Sequence, residues 1–291
     1  MGTGDKLLCG LIGTGIQRSL TPAMQEEEAR QHGLRLHYQL IDLPPQPDAT
    51  DRLAPLLDAV RLIGFRGLNV TYPFKQAVLP LLDALSPEAQ AIGAVNTVSV
   101  DGSGRLTGHN TDASGWAWGL RRHLPDADLG NVVLLGAGGA GSAIAHALLR
   151  LGAASLRIVD TDAGRAQALA TALRAHHDAP VGAGTDVADA LRGATGLVHA
   201  TPSGTDMHPG LPLPASLLRP PLWVSEIVYF PIDTDLLRAA RAAGCRTVDG
   251  GAMAVGQAVG AFRHFTGRDA DTERVESHFK RLLDLRRRED A

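Results

Sequence analysis

Cysteine is scarce in this chain of 291 residues, and no long apolar run is present. The two cysteines, Cys9 and Cys245, lie far apart and form no recognisable pattern. This argues against a disulfide framework or a cysteine metal site, and it indicates a reducing compartment. No apolar run approaches the ~18 residues of a membrane span, and residues 1–6 lack the apolar stretch of a signal peptide. We therefore expect a cytoplasmic protein without a membrane partner or a bound metal.

The chain also has no excess of basic residues over acidic ones. The formal net charge is −3, so the chain lacks the basic surface that marks nucleic-acid binding. We expect no nucleic-acid partner. The length suits two domains or one large one, with enough residues for real hydrophobic cores.

A glycine-rich turn is the most informative stretch that is present. The apolar run Asn131-Val-Val-Leu-Leu135 has strand length and leads into Gly136-Ala-Gly-Gly-Ala-Gly141, after which apolar residues recur at helical spacing up to Leu151. A G-x-G-x-x-G turn between strand and helix is the fingerprint of dinucleotide binding. Its glycines allow a tight turn, a close approach to the pyrophosphate and tight helix packing, and the phosphates bind at the helix N-terminus. The alternative is an α/β unit that binds no nucleotide.

The next strand pattern bears on the choice of cofactor. Ser155-Leu-Arg-Ile-Val-Asp160 ends in a carboxylate at about the offset expected for the acid that binds a ribose, and Asp162 and Arg165 follow. A carboxylate accepts hydrogen bonds from both ribose hydroxyls but repels a 2′-phosphate, which would require an arginine. The pattern favours NAD over NADP.

Strand and helix patterns also alternate before the glycine turn, which predicts a second α/β domain with a parallel sheet. Its third strand, Gly67–Tyr72, is stopped by Pro73, and Phe74-Lys75 is expected to open a helix. Asn69 and Thr71 lie at the carboxyl end of this strand, where parallel sheets bind ligands. Either residue alone would more often serve a turn or a cap.

Thr21-Pro22 has the pattern of a helix start. Threonine is a common N-cap, and proline suits the first helical position. The sequence therefore predicts a capping role for the Thr21 hydroxyl, and a binding role is the alternative.

Several short motifs follow one another along the chain: Ser19-Leu-Thr21-Pro22, Asn69-Val-Thr-Tyr-Pro-Phe-Lys75, Gly93-Ala-Val-Asn96-Thr97, Gly108-His-Asn-Thr-Asp112, Gly136–Gly141, Ala200-Thr-Pro-Ser-Gly204, and Gly250-Gly-Ala-Met253 with Gln257. In order and spacing they resemble the shikimate dehydrogenase family, from Leu8 to about Phe265. The resemblance implies an oxidoreductase that oxidises a ring hydroxyl of a small polyol carboxylate, with NAD as the hydride acceptor.

The resemblance also implies the residues of the site. Lys75 and Asp112 would form the catalytic pair, with Lys75 acting as a base or through its charge; a purely structural ion pair is the alternative. The implied substrate-binding residues are Ser19, Thr21, Asn69, Thr71, Lys75, Asn96, Asp112, Tyr229 and Gln257. The implied cofactor contacts are Gly136, Ala137, Gly138, Gly139, Ala140, Asp160, Asp162, Arg165, Thr201, Ile227, Gly250 and Met253.

The implied fold is α/β, with three parts. Residues 1–112 form a substrate-binding and catalytic domain, residues 113–251 form a Rossmann-like NAD-binding domain, and residues 252–291 form helices that pack back on the first domain. We expect a monomer or a homodimer.

Two departures from the family's NADP-dependent biosynthetic members point to a catabolic enzyme. Asp160-Thr-Asp162 stands where those members usually carry Asn-Arg-Thr, and Ser19-Leu-Thr21 replaces their Ser-x-Ser, as in the NAD-dependent quinate/shikimate dehydrogenases. Tyr72 replaces a small apolar residue, with no consequence that we can predict. We expect NAD-dependent oxidation of quinate and shikimate to 3-dehydroquinate and 3-dehydroshikimate. The alternatives are an NADP-dependent biosynthetic shikimate dehydrogenase, an enzyme for an aminoshikimate-like substrate, and a non-catalytic NAD-sensing protein.

Overall fold

The computed structural model describes residues 6–46 and 48–289, which divide into two compact units. Residues up to Thr111 and those from Gln257 onwards form one, called here the N-terminal unit, and Asp112–Gly256 form the central unit. The outermost residues of the predicted domains, 1–5 and 290–291, lie outside the described residues. Among the described helices, none combines the length and the apolar character needed to cross a membrane.

The N-terminal unit contains a six-stranded sheet with helices around it. Its elements are β1 (Lys6–Gly13), α1 (Thr21–Gln31), β2 (Arg35–Asp42), α2 (Leu53–Ile63), β3 (Gly67–Val70), a 3-10 turn (Leu79–Leu81), β4 (Ala84–Leu85), α3 (Pro87–Ile92), β5 (Thr97–Val100) and β6 (Leu106–His109). The strand order is β2-β1-β3-β5-β6-β4.

This sheet is mixed rather than parallel. Strands β1, β2 and β3 are parallel, as predicted, but β5 is antiparallel to both β3 and β6. The prediction was wrong for β5 because a tight turn joins it directly to β6: the Asp101 side chain accepts hydrogen bonds from the Ser103 and Arg105 N–H groups. Since Asn69 in β3 pairs with Thr97 in β5, the end of β3 and the start of β5 lie at one edge of the sheet.

Two local predictions in this unit are also wrong. No helix follows Phe74-Lys75; the chain turns until the 3-10 turn, because Phe74 is buried in the core and Pro80 has no N–H to continue a helix. Thr21 is not the N-cap of α1. It is the first helical residue, Leu20 precedes it without a side-chain cap, and the Thr21 N–H donates to Ser19 Oγ at 3.3 Å.

The central unit is a doubly wound parallel sheet. Its elements are α4 (Asp112–His123), β7 (Asn131–Leu135), α5 (Gly139–Arg150), β8 (Ser155–Val159), α6 (Ala163–Arg174), β9 (Val181–Gly184), α7 (Val187–Ala190), β10 (Gly196–His199), β11 (Trp223–Glu226), α8 (Asp235–Ala242), β12 (Arg246–Val248) and the start of α9 (Gly250–Thr266). The order is β12-β11-β10-β7-β8-β9, with every pair parallel. The chain reverses direction across the sheet between β7 and β10, which is where such sheets bind ligands. The prediction of a Rossmann-like domain is confirmed.

The C-terminal helices return to the N-terminal unit, as predicted. The second half of α9 packs Ala261 and Phe265 on β1 and β2. Helix α10 (Thr272–Glu289) is joined to α1 by the buried Glu28 carboxylate, which accepts hydrogen bonds from the Arg274 side chain at 2.6 and 2.8 Å and from the Asp271 N–H. Burial alone would raise the pKa of Glu28, but these donors hold it below its usual value.

Candidate active site

The glycine turn of the central unit follows β7, at the point where the sheet reverses. Gly136 has a φ of 102°, and a Cβ there would lie 2.5 Å from the Ala200 carbonyl oxygen. A Cβ on Gly141 would lie 2.0 Å from the Gly136 carbonyl oxygen. Backbone cannot yield as a flexible side chain can, so the fold itself requires both glycines.

Gly138 is different, because the fold does not require it. It caps the N-terminus of α5 with extended backbone, and a Cβ there would meet no atom within 4 Å. The space beside it lies at a helix N-terminus, whose first N–H groups have no intrahelical acceptor. These features fit the pyrophosphate of a dinucleotide.

Asp160 is anchored to this turn. Its Oδ2 accepts from the Ala137 N–H at 2.8 Å, and its Oδ1 accepts from the Asp162 N–H at 2.9 Å and from Arg165 Nη2 at 3.2 Å. Burial acts to raise the pKa of Asp160, but these hydrogen bonds and the Arg165 charge lower it further than burial raises it. A fixed negative charge therefore stands beside the glycine turn at neutral pH.

Asp162 has a different role. It is the N-cap of α6, and its Oδ1 accepts from the Gly164 and Arg165 N–H groups at 2.8 and 3.1 Å. The Arg165 guanidinium lies near both acids, and its side chain is 60% exposed. The two acids therefore have different positions: Asp160 lies at the glycine turn, and Asp162 caps helix α6.

The other predicted cofactor residues follow the carboxyl ends of β10, β11 and β12. The Thr201 methyl lies 3.1 Å from where a Cβ on Gly136 would be. A Cβ on Gly250 would lie 2.4–2.5 Å from the Val228 and Ile227 carbonyl oxygens, so this glycine allows α9 to start against β11. Met253 is buried in the first turn of α9. All of these residues belong to the central unit.

In the N-terminal unit, a buried hydrogen-bond network holds Asn69. The Tyr38 hydroxyl donates to Asn69 Oδ1 at 2.6 Å, and Asn69 Nδ2 donates to the Asn96 carbonyl and to Thr97 Oγ1, each at 3.1 Å. Both amide hydrogens of Asn69 are therefore engaged within the protein.

The same network reaches Thr111, the last residue before the chain enters the central unit. Asn96 Oδ1 accepts from the Thr111 N–H at 2.7 Å, and Asn96 Nδ2 donates to Thr111 Oγ1 at 3.0 Å. The next residue, Asp112, is buried and begins α4 in the central unit. Asn96 thus fixes the backbone immediately before Asp112.

The loops after β1 and β3 carry the remaining side chains of this edge. Ser19 Oγ and Thr21 Oγ1 are 3.1 Å apart, and the Thr71 methyl would lie 2.3 Å from a Cβ on Gly13. The Thr14 N–H donates to the Tyr72 carbonyl, which joins the two loops. Lys75 is half-buried, and its carbonyl accepts from the Val95 N–H at 2.8 Å.

The predicted substrate residues are divided between the units. Ser19, Thr21, Asn69, Thr71, Lys75 and Asn96 lie at one edge of the N-terminal sheet, and Gln257 lies on α9 in the same unit. Asp112 and Tyr229 lie in the central unit, where the Tyr229 ring is 4.9 Å from that of Phe230.

Comparison with known proteins agrees with this arrangement. The family model described as the shikimate dehydrogenase substrate binding domain matches residues 11–98. A shikimate dehydrogenase (NADP⁺) of Streptomyces avermitilis is 53% identical over 276 residues, with 94% of each chain covered. The chain belongs to the shikimate dehydrogenase family.

Members of this family named for either dinucleotide are similar to the chain. A quinate/shikimate dehydrogenase (NAD⁺) of Corynebacterium glutamicum is 47% identical over 281 residues, covering 96% of this chain and 99% of that one. The structure of a quinate dehydrogenase from Corynebacterium glutamicum in complex with NAD superposes with a TM-score of 0.86 at 46% identity, covering 94% and 99%. As a family member, the chain is an oxidoreductase of the shikimate/quinate type that uses a nicotinamide dinucleotide.

Sequence reasoning missed the residues that hold the site residues in place. Tyr38, Thr97 and Thr111 complete the network around Asn69 and Asn96, and His199 and Glu226 form a buried pair beneath Thr201. For His199 and Glu226 a signal existed: each is the one ionisable residue of its short strand and stands at the carboxyl end.

Proposed function

We propose that this chain is an NAD-dependent quinate/shikimate dehydrogenase that oxidises a ring hydroxyl of quinate or shikimate to give 3-dehydroquinate or 3-dehydroshikimate. In this proposal the central unit binds the dinucleotide and the N-terminal unit supplies most substrate contacts. The observation that carries the cofactor choice is the ionised Asp160, hydrogen-bonded to the glycine turn.

Asp160 retains a way to bind a ribose. An ionised carboxylate offers about four acceptor positions. Two are held by the short bonds from the Ala137 and Asp162 N–H groups, while Arg165 at 3.2 Å and Thr161 Oγ1 at 3.5 Å are longer contacts that ribose hydroxyls could replace. A 2′-phosphate would instead bring negative charge against this carboxylate, which disfavours NADP.

The second candidate is an NADP-dependent shikimate dehydrogenase. Arg165 favours it, because an exposed guanidinium beside the turn could pair with a 2′-phosphate if it left the two acids. The NADP-named relative from Streptomyces avermitilis adds weight to this alternative.

For the chemistry, we propose Lys75 and Asp112 as the catalytic pair. The bound nicotinamide ring supplies the hydride acceptor. As the C–H hydride leaves, the hydroxyl proton must leave too, and Lys75 takes it or stabilises the oxygen by its charge. Support comes from Lys75 being half-buried beside the carboxyl edge of its sheet, and from Asp112 being buried directly after Thr111, whose N–H is held by Asn96.

For quinate, we propose that the hydroxyl of Thr21 recognises the extra tertiary hydroxyl of this substrate. Thr21 Oγ1 is 3.1 Å from Ser19 Oγ, so the two hydroxyls form a directed pair and neither serves as the N-cap of α1. A β-branched threonine has a stiff χ1 and presents its hydroxyl in one direction. A site built to bond a hydroxyl discriminates against an analogue without it.

The test of the function is a steady-state matrix of NAD and NADP against quinate and shikimate, with purified protein. We expect the highest kcat/KM values with NAD, for both substrates. A higher kcat/KM with NADP and no turnover of quinate would establish the second candidate instead. Thr21→Ser should lower the quinate-to-shikimate ratio of kcat/KM, and an unchanged ratio would remove Thr21 from quinate recognition.

The two acids allow a matched test of cofactor choice. Asp160→Asn removes the charge at the turn but keeps an acceptor oxygen, and Asp162→Ser removes a charge but keeps an N-cap. We expect only Asp160→Asn to lower the NAD-to-NADP ratio of kcat/KM. An equal change in Asp162→Ser would assign the discrimination to the net charge of the segment.

A further inference from the structure

A fully buried pair of ionisable side chains lies under the carboxyl edge of the central sheet. His199 is the last residue of β10 and Glu226 the last of β11, and the two are register partners in these parallel strands. Both side chains are 0% exposed. Ligands of such sheets bind at this edge, so the pair is placed directly beneath the dinucleotide site.

The hydrogen bonds of His199 run from Glu226 towards Thr201. His199 Nδ1 lies 2.9 and 3.0 Å from the two carboxylate oxygens, so it donates to them. His199 Nε2 lies 2.5 Å from Thr201 Oγ1. This contact ties the Thr201 hydroxyl to the buried imidazole and so fixes the direction of the Thr201 side chain. Thr201 Oγ1 also accepts a hydrogen bond from the Ser203 N–H at 3.3 Å, so its position is held from two sides.

The hydrogen bonds of Glu226 hold the backbone that follows β11. Oε1 accepts from the Ile227 N–H at 2.8 Å and the Val228 N–H at 3.0 Å, while Oε2 accepts from Thr234 Oγ1 at 3.1 Å. The Ile227 and Val228 carbonyls are the groups that approach Gly250. Glu226 therefore fixes the backbone that leaves β11 at the point where it packs against the first residue of α9.

Stability alone is a weak reason for such a pair. A buried pair of ionisable side chains is often no more stabilising than apolar residues of similar volume, because polar groups lose their hydration on burial. Here the hydrogen bonds lead to Thr201 at one end and to Ile227 at the other. These are two of the residues that the family resemblance assigns to the cofactor.

We propose that His199 and Glu226 are positioning residues for the dinucleotide: the pair sets the direction of the Thr201 hydroxyl and the path of the Ile227–Val228 backbone, without touching the cofactor. This inference rests on the proposed function only in requiring a dinucleotide at this edge. It predicts weaker dinucleotide binding, and not weaker substrate binding, when the pair is broken.

The test measures the dissociation constant of NADH and of NADPH by fluorescence titration, together with substrate KM and thermal unfolding. Glu226→Gln keeps the shape and removes the charge, and His199→Phe keeps a ring and removes both nitrogens. Each should raise the dissociation constant of the preferred dinucleotide by about fivefold or more, the value of one lost hydrogen bond. Substrate KM should stay within about twofold of the wild-type value, since both substitutions affect dinucleotide binding and leave the substrate residues unchanged.

A double-mutant cycle distinguishes an effect that acts through Thr201 from a general loss of stability of the central unit. If His199 acts through Thr201, adding His199→Phe to Thr201→Val should not raise the dissociation constant further. His146→Phe is the matched control, because His146 is a buried histidine of the same unit, on α5, bonded to His177. It should lower the unfolding temperature without changing the dissociation constant.

The outcomes are distinct. The inference is overturned if folded Glu226→Gln protein binds the dinucleotide with an unchanged dissociation constant. It is also overturned if the effects of His199→Phe and Thr201→Val on this constant multiply, or if His146→Phe raises it as much as His199→Phe does. If His199→Phe does not fold, the Glu226→Gln result decides. Wild-type protein that binds a dinucleotide but turns over neither quinate nor shikimate contradicts the proposed function and leaves this inference standing. Wild-type protein that binds neither dinucleotide contradicts both.

Discussion

The two units are built to bind ligands in different ways. In the central unit, the carboxyl edge depends on close approach of the backbone, and Gly136, Gly141 and Gly250 are required because a Cβ would meet main-chain atoms. In the N-terminal unit, the corresponding edge carries amide and hydroxyl side chains held by Tyr38 and Thr111. The first edge is shaped by the absence of side chains, whereas the second depends on their orientation. A dinucleotide and a small polyol make these different demands.

The largest effect should come from the side chains of the N-terminal edge and the start of α4. Lys75→Ala should lower kcat by roughly 10²-fold or more if it handles the hydroxyl proton. Dinucleotide affinity should be unchanged, because the glycine turn is untouched. Asp112→Asn should also slow turnover, and the double variant should be far less than additive. Steady-state kinetics of the four proteins checks this, and effects that multiply would show that the residues do not act as a pair.

The next effect concerns the glycine contacts of the central unit. Gly141→Ala would place a Cβ 2.0 Å from the Gly136 carbonyl, so α5 must move away from β7. We expect a loss of roughly 1–3 kcal/mol in unfolding free energy, with weakened dinucleotide binding. Gly184→Ala is the control, since a Cβ there meets nothing within 4 Å. Denaturant unfolding of both variants decides, and equal stabilities would contradict the close packing of turn and helix.

The contrast between the units also explains what the sequence could predict. The strand–glycine–helix pattern around Gly136–Gly141 is local and continuous, so the Rossmann-like unit was predictable from spacing alone. The direction of β5 follows from the local turn at Asp101, a sequence signal that the expectation of a parallel sheet overlooked. The orientation of Asn69 depends instead on Tyr38, which is distant in sequence. Such contacts are set by tertiary packing and leave no periodic signal. The helix expected after Phe74 failed for a related reason, because burial of Phe74 and the position of Pro80 outweigh a local pattern.

A smaller effect should follow from loosening the N-terminal network. Tyr38→Phe removes the hydroxyl that donates to Asn69 Oδ1 and leaves a buried acceptor without this donor, so the unfolding free energy should fall by about 1 kcal/mol. Substrate KM should rise while dinucleotide KM stays constant. Tyr72→Phe is the control, because this tyrosine is 65% exposed and should tolerate the loss of its hydroxyl. If both KM values rise together in Tyr38→Phe, the network is not specific to substrate.

The effect that is smallest at neutral pH, and grows only below it, arises from two histidines of the N-terminal unit. The His109 and His264 rings stack with centroids 3.9 Å apart. Burial, and then the charge of His264, lower the pKa of His109 from 6.5 to about 4; burial and the Arg263 charge lower that of His264, which Glu88 partly opposes. The unfolded chain therefore binds more protons between these values, so this contribution to stability is complete above pH 6.5 and declines as pH falls towards 4. The difference in unfolding free energy between wild type and His109→Gln, measured across this range, should show that slope, and a flat difference would contradict it.

The central claim, that a dinucleotide lies against the backbone of the glycine turn, is tested most directly at Gly138. Gly138→Ala adds a methyl group into space that no protein atom within 4 Å occupies. The unfolding temperature should therefore stay close to that of the wild type, while the dissociation constant of NADH measured by fluorescence titration rises by about tenfold or more, because the methyl group blocks the approach of the pyrophosphate. An unchanged dissociation constant in folded Gly138→Ala protein would contradict the claim.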